Sequence, residues 1–222
     1  KIFIFARKNS KGVRNKNLYK INGKPLIFYT LKTALNLTKK ENIFISSDGN
    51  KYKKIADDFG INFIKRPKSL ATSNSPEILS WKHAINFLRN KKIKIKTFVS
   101  LPATSPLRNK SDVLKSLSKL KGDIDIVLTA SESNRNPYFN IVEKKDNGYY
   151  KVVNDKTKIY RRQDAPKTFD LNTVAFVSSP EYIENIKSIF DGNVAINVVP
   201  SERSLDIDNM FDMKLALLLL KK

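Results

Sequence analysis

Short apolar runs and longer stretches of helical periodicity alternate along most of the chain. Residues 2–5, I-F-I-F, end abruptly at Arg7, Lys8, Ser10, Lys11 and Gly12, the pattern of a buried strand whose carboxyl end opens into a polar loop. Pro25 then starts P-L-I-F-Y-T-L-K-T-A-L-N-L, which predicts a helix with Leu26, Tyr29, Ala34 and Leu37 facing inward. A second strand over 43–46 is followed by a helix over 51–59 with Gly60 as its C-cap, and by a third strand over 62–65. The polar loop R-P-K-S-L-A-T-S-N-S-P-E precedes a helix through Arg89, with Ser75 as N-cap and Pro76 as first helical residue. Strand 97–101, a helix opened by Ser111 and Asp112 and closed at Gly122, and strand 125–130 continue the alternation. Strands alternating with helices predict an α/β domain with a mostly parallel sheet and right-handed crossovers.

The rhythm breaks over 131–168. Two alternating runs there are joined by Asp146-Asn147-Gly148, a hairpin turn sequence, so a protruding arm is expected as a lid or a subunit contact. Strand 172–178, helix 181–190, strand 193–199 and a terminal helix 210–220 complete the pattern.

At 222 residues the chain suits one domain with an excursion. No apolar run is long enough to span a membrane, no secretory signal is visible in the residues read, and cysteine is absent. These features lead us to expect a cytoplasmic protein without disulfides or thiolate metal sites. The formal charge of +21, from 42 basic and 21 acidic residues, raises the alternative of a non-catalytic, basic polyanion-binding protein. Against nucleic acid, the lysines are spread over nearly every element and are not interleaved with aromatics on one segment. The single histidine, His83, has no second His or carboxylate at i+4 and is expected to be a half-buried or exposed helix residue.

Two stretches carry candidate chemistry. The loop after the first strand offers five cations within residues 7–16, together with hydroxyls, amides and backbone N–H groups, and can surround a triphosphate. Before the last helix, Asp206 and Asp208 flank Ile207. In an extended segment alternate residues share a face, so the two carboxylates would converge on one cation while Ile207 points to the core. Alternatively, Asp208 caps the last helix.

The opening A-R-K-N-S-K-G-V-R-N-K-N-L with I-N-G-K-P-L resembles the nucleotide-binding motif of the CMP-sialic acid synthetases, the acylneuraminate cytidylyltransferases. Arg66–Thr72 (R-P-K-S-L-A-T), Thr104–Arg108 (T-S-P-L-R), Arg161–Pro166 (R-R-Q-D-A-P) and Asp206–Asp208 (D-I-D) fall where that family would have them. Within it, N-R-N-P-Y-F-N-I-V-E and R-Q-D-A-P-K-T-F-D resemble the branch acting on legionaminic acid and related nonulosonates.

The resemblance implies a three-layer, Rossmann-like nucleotide-diphospho-sugar transferase fold in a single domain over 1–222. It implies transfer of CMP from CTP to a nine-carbon sugar acid with Mg²⁺, and a homodimer whose arm reaches the neighbour's sugar site. A cytidylyltransferase for another 2-keto sugar acid, such as the eight-carbon Kdo, is the nearest enzyme alternative. Arg7 and Lys16 would be the phosphate cations, with Asn17 beside ribose or base and Ser10 and Lys11 lining the loop. Ser69, Ala71 and Thr72 would reach cytosine and ribose. Asp206 and Asp208 would hold the metal and, with Arg7 and Lys16, form the catalytic set. Thr104, Ser105, Arg108, Tyr138, Phe139, Arg162, Gln163, Phe169 and Asn172 would serve the sugar acid. Pro102 and Ala103 replace the more usual Gln-Pro, and Phe139 stands near where some relatives place a sugar-binding lysine.

Overall fold

Side-chain alternation along one strand sets the layers. The computed structural model describes residues 1–8, 12–155 and 159–220. In it, β1 (Ile2–Phe5) sends Ile2 and Ile4 into one apolar cluster and Phe3 and Phe5 into another, because successive strand residues face opposite sides of a sheet. A small pair, β2 (Lys20–Ile21) and β3 (Lys24–Pro25), leads into α1 (Leu26–Leu37). Next come β4 (Ile43–Ser47), α2 (Asn50–Phe59), β5 (Asn62–Lys65), α3 (Glu77–Asn90), β6 (Phe98–Ser100), α4 (Lys110–Lys119) and β7 (Ile126–Glu132). The remainder holds β8 (Val142–Lys144), β9 (Tyr150–Val152), β10 (Phe169–Ser178), α5 (Pro180–Asn185), β11 (Val194–Val198) and α6 (Met210–Leu219).

Seven strands form the main sheet in the order β11-β7-β10-β6-β1-β4-β5. Helices α1, α2 and α4 cover one face through Ile27, Leu31, Tyr52, Ala56 and Val113. Helices α3 and α5 cover the other through Trp81, Ile85, Leu88 and Ile183. The result is a three-layer α/β fold, as the alternation predicts. One strand departs from the parallel rule: β10 is antiparallel to both β6 and β7. No helical crossover separates β7 from β10, and a chain that returns without one comes back antiparallel. Among the described residues, no helix is long and apolar enough to cross a membrane.

The excursion is shorter than the sequence pattern indicates. Ser131 and Glu132 belong to β7 and pair with Asp170 and Phe169 of β10, so the arm proper spans 133–168. Within it β8 and β9 form the expected hairpin, and Gly148 at φ 85° makes the turn.

Three helix starts or ends also differ. Helix α3 begins after Pro76, without a side-chain cap from Ser75. Helix α4 is capped by Asn109, one turn ahead of Asp112, in a reciprocal pair with Asp112. Helix α5 stops at Asn185, short of Phe190, because the Asp191 carboxylate accepts the backbone N–H groups of Lys187 (2.7 Å) and Ser188 (2.9 Å) and folds that segment into a turn.

Candidate functional site

A cleft of about 370 Å³ lies where the carboxyl ends of β1, β5 and β6 open into loops, the place where open α/β sheets take ligands. Its lining comes from distant stretches of sequence: Arg7, Gly12, Lys16 and Asn17 after β1; Arg66, Thr72, Ser73, Ser75 and Glu77 after β5; Pro102, Ala103 and Thr104 after β6. Phe5, Leu70, Ser80, Thr173 of β10 and Asp208 before α6 complete it.

The cationic loop and the acidic segment meet here. Lys16 Nζ donates to Asp208 Oδ1 at 2.9 Å and to the Ile207 carbonyl oxygen. Its side chain is 13% exposed against 75% for Asp208, so the ammonium is held in place while the carboxylate stays open to the cleft. Gly12 packs on the same segment so closely that a Cβ there would stand 2.1 Å from the Asp208 carbonyl oxygen. Ile207 is fully buried among Val13, Ile21, Leu26 and Met213, and its N–H bonds the Thr104 carbonyl oxygen. The cap of α6 is Asn209, whose side chain accepts from Phe211 and Asp212. The alternative of a capping role for Asp208 is therefore overturned, and its carboxylate is left for the cleft.

Asp206 sits deeper. Burial raises its pKa above the usual carboxylate range, nearby Thr104 and Thr173 oppose that rise, and Asp208 reinforces it. Its Oδ1 is buried without a hydrogen-bond partner among the described residues, a costly state unless another group completes it.

On the opposite strand ends, Arg7 Nη1 donates to the Thr72 carbonyl oxygen at 3.1 Å and ties the first loop to the loop after β5. Arg66 is buried, donates to Ser46 O at 2.7 Å, and lies 5.5 Å from the Phe5 ring centroid. Asn17 is buried, its Oδ1 without a hydrogen-bond partner among the described residues, beside Tyr52, whose hydroxyl burial pushes up to about 12.

Of the residues expected from the sequence, Arg7, Lys16, Asn17, Thr72, Thr104 and Asp208 line one cleft, with Asp206 beneath it. Ser10 and Lys11 lie outside the described residues. Ser69 and Ala71 form a 3-10 turn beside the cleft without lining it.

The expected sugar set divides. Arg108 is buried behind the cleft, where it donates to Thr30 Oγ1 (3.0 Å) and to the carbonyl oxygens of Pro102 and Thr173. Burial lowers its pKa to about 9, and its guanidinium works as an internal tie with no face toward a ligand. Ser105 is likewise buried, bonded to Thr173 Oγ1 at 2.6 Å. Asn172 is buried at the β10 bulge, its Oδ1 accepting from Val174 N–H at 3.2 Å. Tyr138, Phe139, Arg162, Gln163 and Phe169 sit on or next to the arm, outside the cleft lining of this chain; Arg162 donates to the Asn134 carbonyl oxygen at 3.0 Å.

Residue-by-residue reading missed Arg66, Glu77 and Thr173 as cleft residues. Arg66 stands directly after a strand that the apolar pattern had located, which was the available signal. Nothing local marks Glu77 or Thr173.

Residues 2–189 match the protein family described as Cytidylyltransferase. The chain is 32% identical to the post-translational flagellin modification protein B of Campylobacter coli, over 99% of this chain and 94% of that protein. It is 34% identical to the CMP-N,N'-diacetyllegionaminic acid synthase of Campylobacter jejuni, over 96% of this chain and 91% of that protein. Among solved structures it is similar to CMP:2-keto-3-deoxy-manno-octonic acid synthetase complexed with CTP, at TM-score 0.73 and 14% identity, covering 99% of this chain and 97% of that one. The last likeness is one of fold.

Proposed function

Because this chain belongs to the cytidylyltransferase family and is a nucleotidyltransferase, we propose that its cleft transfers CMP from CTP to the anomeric hydroxyl of a nonulosonic acid of the legionaminic type. The hydroxyl oxygen forms a bond to the α-phosphorus, the bond from that phosphorus to the bridging oxygen breaks, pyrophosphate leaves, and the hydroxyl proton passes to solvent. The observation that carries this reading is Lys16, held against Asp208 in the cleft that Arg7 also lines. Such a reaction asks the protein to neutralise a triphosphate and hold an attacking oxygen in line. Arg7 offers a planar, two-pronged contact to phosphate and Lys16 a point charge. Their anchors, the Thr72 carbonyl and the Asp208 carboxylate, fix both cations before the nucleotide arrives.

The acid pair fits Mg²⁺. That ion takes one or two carboxylates and fills its shell with water and substrate phosphates, and Asp206 Oδ1 is a buried acceptor without a partner among the described residues. Asp206 and Asp208 would hold it; once bound, it would stabilise negative charge on the phosphate oxygens. The N,N'-diacetyllegionaminic acid named for the Campylobacter jejuni relative supports this substrate class over Kdo, whose synthetase shares the fold at 14% identity. A polyanion-binding protein without chemistry would have no need to hold a lysine against an acid pair.

We also infer a homodimer through the arm, where Val142, Tyr149, Tyr150 and Tyr160 are exposed, and residence in the cytoplasm, where CTP is made.

Pyrophosphate release with CTP, Mg²⁺ and a panel containing N,N'-diacetyllegionaminic, N-acetylneuraminic, pseudaminic and Kdo acids tests the reading. The legionaminic acid is expected to turn over fastest. Asp208→Asn should lower kcat by about 100-fold or more, with an unchanged circular dichroism spectrum. Retained activity in that variant would remove the acid pair from the mechanism.

A further inference from the structure

One carboxylate in the cleft has no part in the steps above. Glu77, the first residue of α3, lines the wall formed by the segment after β5. Trp81, one helical turn on, donates its indole N–H to Glu77 Oε1 at 3.1 Å, which fixes the carboxylate and leaves Oε2 for a ligand. Arg66, on the same wall of the cleft and close enough for its charge to act on Glu77, commits Nε and Nη2 to Ser46, leaving Nη1 uncommitted among the described residues.

An acid in a cleft for a polyanion must be accounted for. Facing the phosphates, it would repel them. Among the described residues it does not join Asp206 and Asp208 in a group of three acids that could hold a metal ion. The base remains. The pairing edge of cytosine presents an amino donor beside a ring-nitrogen acceptor, and this wall of the cleft offers the Glu77 carboxylate as acceptor and the Arg66 guanidinium as donor. Uracil reverses both positions, with a carbonyl oxygen toward the acid and an N–H toward the guanidinium.

We propose that Glu77 accepts a hydrogen bond from the 4-amino group of cytosine and so sets the preference for CTP over UTP, an assignment that rests on the nucleotidyl-transfer reading above. A site built to satisfy a donor rejects an analogue that leaves its buried polar groups unmatched. Although the residue keeps contact with solvent through the open cleft, packing around the carboxyl raises its pKa, with the Trp81 N–H and Arg66 opposing the shift. A carboxylate whose Oε2 takes no hydrogen bond from the described residues gains from a donor on the ligand.

Titration calorimetry of CTP and UTP with Mg²⁺ and no sugar acid separates binding from turnover. Glu77→Gln, whose amide can donate to the uracil carbonyl, should reduce the ratio of Kd for UTP to Kd for CTP by about tenfold or more, with an unchanged melting temperature. Trp81→Phe, which frees Glu77 to swing, should reduce the ratio in the same direction by less. A ratio unchanged in Glu77→Gln overturns the assignment and leaves CTP-dependent transfer standing. Equal weakening of both nucleotides overturns it too, because the acid then reads the ribose common to both. A parent protein without preference for CTP sinks this assignment together with the functional reading.

Discussion

Gly12 shows how much of the site depends on a single missing methyl group. Its α-carbon faces the Asp208 carbonyl, and a Cβ would approach within 2.1 Å, nearer than real contacts allow. The opening loop and the acid segment can close on each other only with glycine there. Gly12→Ala should therefore lower kcat/KM by about 100-fold through displaced cations and acids, since misplacement of about an ångström has that scale of effect. Steady-state pyrophosphate release checks it, and an unchanged value would mean that the two segments are not coupled. Arg108 teaches the complementary lesson. Its place in T-S-P-L-R, on the ligand side of the sheet, makes it look like a ligand-binding cation. The fold spends Nη1 and Nη2 on Thr30, Pro102 and Thr173, because a buried guanidinium needs acceptors from the protein, and only Nε is left without one among the described residues.

Among the elements, α6 links local sequence most directly to the site. Asn209 accepts the Phe211 and Asp212 N–H groups, and Asp212 returns bonds to the N–H groups of Asp208 and Asn209, each at 2.9 Å. This reciprocal cap satisfies donors that a helix start leaves open and fixes the backbone that carries Asp208. Asn209→Ala should cost about 1 kcal/mol in urea denaturation and lower turnover as well, because the acid loses its anchor; full stability would show that the cap is dispensable. The start of α4 follows the same logic. Asp112, buried in that cap, is also held by Arg203 at 2.8 Å from the segment that leads to the acids. Both caps have short, recognisable spacings, yet only that at Asn209 sets the position of a cleft residue.

At the scale of the whole molecule, charge is divided by role. Most of the excess of 21 positive charges is on outer surfaces, whereas Arg7, Lys16 and Arg66 are directed into the cleft by specific carbonyl or carboxylate partners. The arm stands apart from both groups. Its hairpin exposes Val142 by 56% and Tyr150 by 64%, more apolar surface than an isolated two-stranded hairpin sheds in water without cost. Replacing both with Asp should convert a dimer to a monomer in light scattering while CTP binding persists. A parent protein that is already monomeric would remove the inferred dimer, and with it any contribution of Tyr138, Phe139 or Arg162 to a neighbour's site.

The sequence by itself determined the alternating α/β core, the hairpin, and the two stretches that carry cations and acids. Apolar period and turn chemistry are local properties, and each of those features is written within a few neighbouring residues. Tertiary structure alone decided that β10 runs against its neighbours, that Arg108 and Ser105 turn inward, and that Glu77 and Thr173 reach the cleft. Those outcomes depend on which strand ends become adjacent and which buried donors remain to be satisfied. Residues more than 60 positions apart supply the partners, as Arg7 and Thr72 do, and no local pattern records such a pairing.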